Sequence, residues 1–366
     1  MRLRLGYIER YILVHALIGI GAAAALLGAV VVLINFIDLS RSLGGRAELG
    51  FATELGLTLL KSPAVILQLL PFVFLFGVLA AFMDMNRRNE LIAIRAAGVS
   101  AWRFILPAAA AAFVLGVAAM VVLNPLAAGM NGLFEATRAS LTPQETSRAR
   151  HIWLRQGDAR TQVVIGAGSR TGAGGVVLKD VSLFVYTVDE GGSPVFSRRI
   201  EASEARLMKG YWLLKNARDA TPGARALHYD ALSIPTNLDD RTALERYASP
   251  QSMSFWTLPR AISRIEEAGF SAVAYRLRLQ QLLAAPLLFT AMSILAASFS
   301  LKLARLGGLA MLAGAGVASG FLIFFFDELC ASLAKADVAS PIAAAWIPPI
   351  LALLSAFTLL FYTEDG

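Results

Sequence analysis

Apolar and polar positions divide the chain into two unlike patterns. Uncharged runs occupy Tyr11 to Ile37, Ser62 to Met83, Phe104 to Phe134, Leu279 to Leu301, Leu306 to Phe326 and Val338 to Thr363. Each reaches the roughly 20 residues that cross about 30 Å of hydrocarbon in helical form, which predicts six membrane spans. Helices buried in a large soluble protein are usually shorter and carry a polar stripe. Between the third and fourth runs the pattern changes to short β-branched and aromatic stretches set off by glycine turns. Val163 to Ile165 follows Gly157-Asp158, Val181 to Thr187 reads Val-Ser-Leu-Phe-Val-Tyr-Thr, Val195 to Ile200 follows Gly191-Gly192, and Tyr211 to Leu214 follows Gly210. This pattern predicts an antiparallel sheet in a sandwich, jellyroll or barrel. From Phe255 to Ala274 the spacing of Leu258, Ile262, Ile265 and Ala268 is helical again, a connector into the fourth span. The predicted organisation is an α-helical membrane protein in three parts: residues 1–134 with spans one to three and a short helix at about 86–99, an all-β, jellyroll-like domain over 135–256, and residues 257–366 with the connector and spans four to six.

Composition agrees with a membrane protein: 57% of residues are hydrophobic and the mean hydropathy is +0.61, more than a soluble core requires. A cleaved signal peptide is a poor account of the first run, which is too long and leads to no small-residue cleavage site. Charge sets the orientation. Arg2, Arg4 and Arg10 precede span one, Arg87, Arg88, Arg95 and Arg103 lie between spans two and three, and Lys302 and Arg305 between spans four and five. The opposite short loops hold only Arg41, Arg46, Lys61 and Lys335. The positive-inside rule then puts both termini in the cytoplasm and the β-domain in the periplasm of an inner-membrane protein. The net charge of +7 follows from that topology and a basic outer domain, and no basic stripe with interleaved aromatics points to nucleic acid. Cys330 is the only cysteine, so the β-domain is expected to fold on its own core without disulfides.

A search for catalytic chemistry returns little. There is no phosphate-binding Gly-x-x-x-x-Gly-Lys-Ser/Thr, and the glycine-rich stretch Gly166 to Gly175 lacks the lysine and following helix, so it reads as a hairpin loop. His15, His151 and His228 are far apart and show no metal-ligand spacing; His15 in span one suits a hydrogen bond within the bundle. No Gly-x-Ser-x-Gly elbow is present. No cofactor is expected on this chain.

The segment Arg87-Arg88-Asn89-Glu90-Leu91-Ile92-Ala93-Ile94-Arg95-Ala96-Ala97-Gly98-Val99-Ser100 reads as a short amphipathic helix. Leu91, Ile94 and Arg95 repeat at helical spacing, Glu90 sits in the first turn and Gly98 closes it. Such a helix suits docking into a groove of a cytoplasmic partner, or lying on the lipid surface.

Glu9-Arg10-Tyr11-Ile12, Phe36-Ile37-Asp38, Leu70-Pro71, Arg88-Asn89-Glu90-Leu91 with Arg95 to Ser100, and Tyr275-Arg276-Leu277 with Pro286-Leu287 occur in order along the chain. In these it resembles the lipopolysaccharide-export permeases LptF and LptG, and in Phe-Ile-Asp and Arg-Asn-Glu-Leu most resembles LptG. The resemblance implies an ABC exporter in which an LptF-like second permease faces this chain. Two copies of a cytoplasmic LptB-like ATPase would consume ATP beneath the pair, and periplasmic LptC/LptA-like jellyroll proteins would receive the lipid. The residues implied for ATPase coupling are Arg87, Arg88, Glu90, Leu91, Ile94, Arg95 and Gly98.

Lipopolysaccharide drawn sideways from the membrane would meet a wall of apolar residues with cations at its rim. Leu69, Leu70, Phe72, Phe76, Phe324 and Phe326 are candidates for the wall, and Arg41 and Arg46 for phosphate. Where the family often carries a basic residue before Phe-Ile-Asp, Asn35 stands here, which puts more weight on Arg41. The resemblance assigns a lateral opening to span one of one permease against span five of the other. Both spans are rich in small residues: Gly19, Gly21, Gly28 and Ala22 to Ala25 in the first, Gly307, Gly308, Gly314, Gly316 and Gly320 in the fifth. Asp327-Glu328 suits an interfacial anchor or a gate, and Pro348-Pro349 would kink span six. Alternatives are a permease of another lipid or lipoprotein exporter, though those place the large domain after the first span. A lipid transferase would need convergent carboxylates, and a non-transporting scaffold remains a further reading.

Overall fold

The computed structural model describes residues 6–43, 50–141, 152–157, 161–171, 177–188, 194–236, 249–267, 271–306 and 309–364, which cluster in two compact units, one built on the helices and one on a sheet. The helical unit begins with α1 (Tyr7–Leu43), α2 (Phe51–Arg87) and the short α3 (Glu90–Ala96). A long third rod follows, made of α4 (Ala101–Ala118), a π turn (Ala119–Leu123) and α5 (Asn124–Leu141). After the sheet and α6 (Leu258–Glu267) come α7 (Val273–Leu306), α8 (Leu309–Lys335) and α9 (Pro341–Glu364). Six of these segments are long and apolar enough to span a membrane, as the sequence pattern predicts.

The helices outrun the uncharged runs. Lys61 lies inside α2, Arg41 in the last turn of α1, and Lys302 and Arg305 inside α7, all of which the sequence reading had put in loops. The apolar run marks only the part suited to hydrocarbon, and the helix continues past it toward the interface. Pro348 and Pro349 are both accommodated within α9. Close backbone contact fixes the bundle at two crossings. A Cβ on Gly77 would come within 2.5 Å of Ile20 Cα, and one on Gly116 within 2.8 Å of Pro286 Cα, so only glycine lets α2 meet α1 and α4 meet α7 at these points. Around them lies a core that includes Ile12, Leu75, Phe82, Phe104, Met292 and Leu360.

The sheet holds β1 (Ile152–Gly157), β2 (Thr161–Thr171), β3 (Val177–Val188), β4 (Pro194–Met208), β5 (Tyr211–Ala220) and β6 (Leu227–Pro235). All pairings are antiparallel and each strand lies beside its sequence neighbour, giving an all-β domain inserted between spans three and four. Alternation buries Val163, Ile165 and Ala167 of β2 against Leu183, Ile200, Trp212 and Leu214. In β3 the alternation changes phase between Leu178 and Val181, both buried, because Asp180 adopts a left-handed φ of 52°. The glycine-rich stretch read as a hairpin loop is instead strand through Thr171: Gly166 pairs with Trp153 and Ser182 inside the sheet. Residues 172–176, the remainder of that stretch, lie outside the described residues.

Candidate functional site

Two regions gather the residues that sequence reading singled out. The first is one end of the helical bundle, where α3 sits. Asn89, with a left-handed φ of 57°, turns the chain out of α2, and Gly98, with φ of 78°, releases it from α3. Leu91 is 1% exposed and Ile94 packs on the same core, so the apolar side of this helix is spent within the chain. It presents Ile92, Ala93 and Ala96 outward, with Arg95 half-buried, and Arg87, Arg88 and Gly98 are exposed at its two flanks. Glu90 is also half-buried and accepts a hydrogen bond from Tyr11 Oη at 3.0 Å. Beside it Arg103 Nε donates to Glu9 at 3.0 Å and the Gly6 amide donates to the same carboxylate at 2.9 Å. The start of α1 is thereby fastened to both ends of the α3 turn. Arg88 is held by Asp84 at 3.0 Å. His15 donates from Nδ1 to the Tyr11 carbonyl at 2.9 Å and lies on the Tyr11 ring, a bond within its own helix.

The second region is a cavity of about 360 Å³ inside the helical unit. Of the predicted wall residues, Leu70 and Phe324 line it, while Leu69 and Phe326 stand outside its lining. Neighbours on a helix point about 100° apart, so Leu69 cannot share the direction of Leu70. Phe72 joins Phe324 at 5.0 Å, Phe76 at 5.9 Å and Phe321 at 4.8 Å between ring centroids, an aromatic cluster tying α2 to α8. Phe321 is the member that sequence reading missed. Asn35 is buried and donates to Ser62 Oγ at 3.3 Å, so its amide serves the α1–α2 contact. Arg41 is exposed in the last turn of α1, where its charge suits the helix C-terminus; Arg46 lies outside the described residues.

Sequence reading also passed over the polar part of this cavity. Arg278 and Gln281 lie three residues apart on the α7 stripe that continues through Leu282, Ala285 and Phe289, and all face the cavity. Two polar residues within that stripe were the available signal. The π turn lines the same space with Ala119 and Met120. A clasp holds this turn: Trp256 Nε1 donates to the Val121 carbonyl at 3.2 Å and the Phe255 amide to Asn124 Oδ1 at 2.8 Å. Ser252 then bridges Asn131 and Glu135, each at 2.7 Å.

Coverage of the spans is uneven. Within their most apolar windows, span one is 11% buried and span five 17%, against 39% to 67% for the other four. Gly21, Ala22 and Ala25 of span one and Gly314 and Ala315 of span five are exposed. Gly19 packs on Gly77, Gly316 on Phe299 and Gly320 on Leu75; Gly307 and Gly308 lie outside the described residues.

A family model described as Lipopolysaccharide export system permease LptF/LptG matches residues 10–362. No curated protein matches the chain.

Proposed function

Because the chain belongs to the LptF/LptG family of lipopolysaccharide export permeases, a transporter component, we propose that it is one half of a permease pair that draws lipopolysaccharide laterally out of the inner membrane. The supporting observation is the uneven coverage: spans one and five have the fewest buried residues of the six and carry small residues outward. Small residues let helices of a second permease approach without interdigitation, so the contact forms and releases at modest cost. Such a contact suits a gate for a lipid with several acyl chains.

In this reading the end bearing Tyr11, Glu90 and Arg103 faces the cytoplasm, consistent with the arginines gathered there. The sheet domain is periplasmic and hands lipid to jellyroll proteins of the bridge. A separate ATPase docks on the outward side of α3 and consumes ATP; this chain binds no cofactor. Phe36-Ile37-Asp38 and Arg88-Asn89-Glu90-Leu91 favour the G-type subunit. Arg41 at the end of span one attracts the passing phosphates and raises local occupancy more than specificity.

The test is a cysteine pair in a Cys330→Ser background. Leu33→Cys, exposed on span one, is combined with a cysteine in the outer half of span five of the partner permease. Oxidation should stop export and reduction restore it. Full export by the cross-linked pair would eliminate the gate.

A further inference from the structure

One wall of the cavity carries a guanidinium with an unpaired donor. Arg278 lies near the start of α7 and lines the cavity, and its Nε is shut off from solvent with no hydrogen-bond partner among the described residues. Asp327 and Glu328 also line the cavity from α8, yet neither forms an ion pair with Arg278 among the described residues; Glu328 lies 3.8 Å from Lys335. A buried guanidinium donor left unsatisfied is costly, and charged groups inside a membrane bundle are retained where they meet a ligand or a wet path. The rest of the lining adds the polar side chains Gln68, Asn124, Gln251 and Gln281, the ammonium of Lys335, and apolar residues that include Leu70, Leu277, Leu288 and Phe289. A few polar groups converging in an apolar cleft of this size is the build of a site for a small amphiphile. The wall is interrupted by the π turn at Ala119 and Met120, a helix irregularity frequent at functional sites, here kept in place by Trp256.

We infer that this cavity is a lipid site in which Arg278 binds the phosphate of a phospholipid headgroup while the first carbons of the chains lie along Leu70, Leu277 and Phe289. Guanidinium is the side chain suited to phosphate, since its planar fork donates two parallel hydrogen bonds to adjacent oxygens. The site is lined by spans two to six of one chain and by the 250–251 turn, with no contribution from span one. It shares span five with the gate proposed above, but Arg278 and the binding test below do not depend on the export reading.

Native mass spectrometry of the full chain in a maltoside detergent tests it, with phosphatidylglycerol, diacylglycerol of the same chains, and inorganic phosphate as probes. The expected result is phosphatidylglycerol bound at one site and diacylglycerol at least about tenfold weaker, the difference expected for a charge-assisted contact. Arg278→Gln should remove that preference and Arg278→Lys keep most of it. A second variant is independent of the buried charge: Ala285→Phe on the same stripe fills the cavity, leaves Arg278 in place and should displace the lipid equally. Equal binding of the two lipids, retention of phosphatidylglycerol by Arg278→Gln or Ala285→Phe, or binding of inorganic phosphate alone would each overturn the assignment.

Discussion

Glu90 carries two duties that a pair of substitutions separates. Its carboxylate accepts the Tyr11 hydroxyl, and it stands in the first turn of α3, where the helix dipole favours an anion. Tyr11→Phe removes only the bond between helices and should slightly lower the unfolding temperature with ATPase recruitment unchanged. Glu90→Ala should weaken recruitment by roughly tenfold, the loss of one charge-assisted hydrogen bond, measured by co-purification with the ATPase. Recruitment equal to that of the unaltered chain would assign Glu90 to internal fastening alone. The sequence made Glu90 legible because an acidic first turn and a closing Gly98 are local signals. Tyr11 as its partner was not legible, since the two are 79 positions apart and only the packing of α1 on the bundle joins them. Asn35 is a similar case: the sequence marks it only as a neutral residue before Phe36-Ile37-Asp38, and its bond to Ser62, 27 positions away, comes from the packing of α1 on α2.

Among elements, the spans were the most legible because a run of about 20 uncharged residues has few other uses. Strands β2 to β5 were found through β-branched runs that bury one face, but β1 and β6 were missed. β6 is an edge strand exposed over most of its length and carries His228, Tyr229 and Asp230, so no alternation marks it. The glycines of span one looked alike in sequence, yet the structure sorts them. Gly19→Leu would drive a side chain into the α2 backbone at Gly77 and should cost about 1–3 kcal/mol or more by overpacking, seen as reduced yield of folded protein. Gly21 has nothing within 4 Å of an added Cβ. Gly21→Leu should therefore leave the isolated chain's unfolding temperature unchanged and impair co-purification with the second permease. Normal pairing by Gly21→Leu would show that this face of span one meets only lipid.

At the scale of the whole molecule, the proposed orientation gives an accessibility pattern. Ser100→Cys lies beside α3 and Ala224→Cys in the turn before β6, both exposed. With Cys330→Ser to remove the native thiol, a membrane-impermeant maleimide should label Ala224→Cys in intact spheroplasts and Ser100→Cys only after lysis. The reverse order would invert the topology. The bareness of spans one and five also has a consequence for how the cell makes this protein. Under the pairing proposed above, a copy made alone would leave two sparsely buried spans in contact with lipid until a mate arrives. Orphan subunits of that kind are the ones membrane proteases can engage, because local opening of a sparsely packed span needs little free energy. Pulse-chase labelling should show the chain surviving several times longer when the second permease is co-expressed than when it is made alone. If the chain pairs as proposed, the scarcer of the two subunits would set the number of assembled exporters, and unpaired copies of this chain would be cleared without a dedicated regulator.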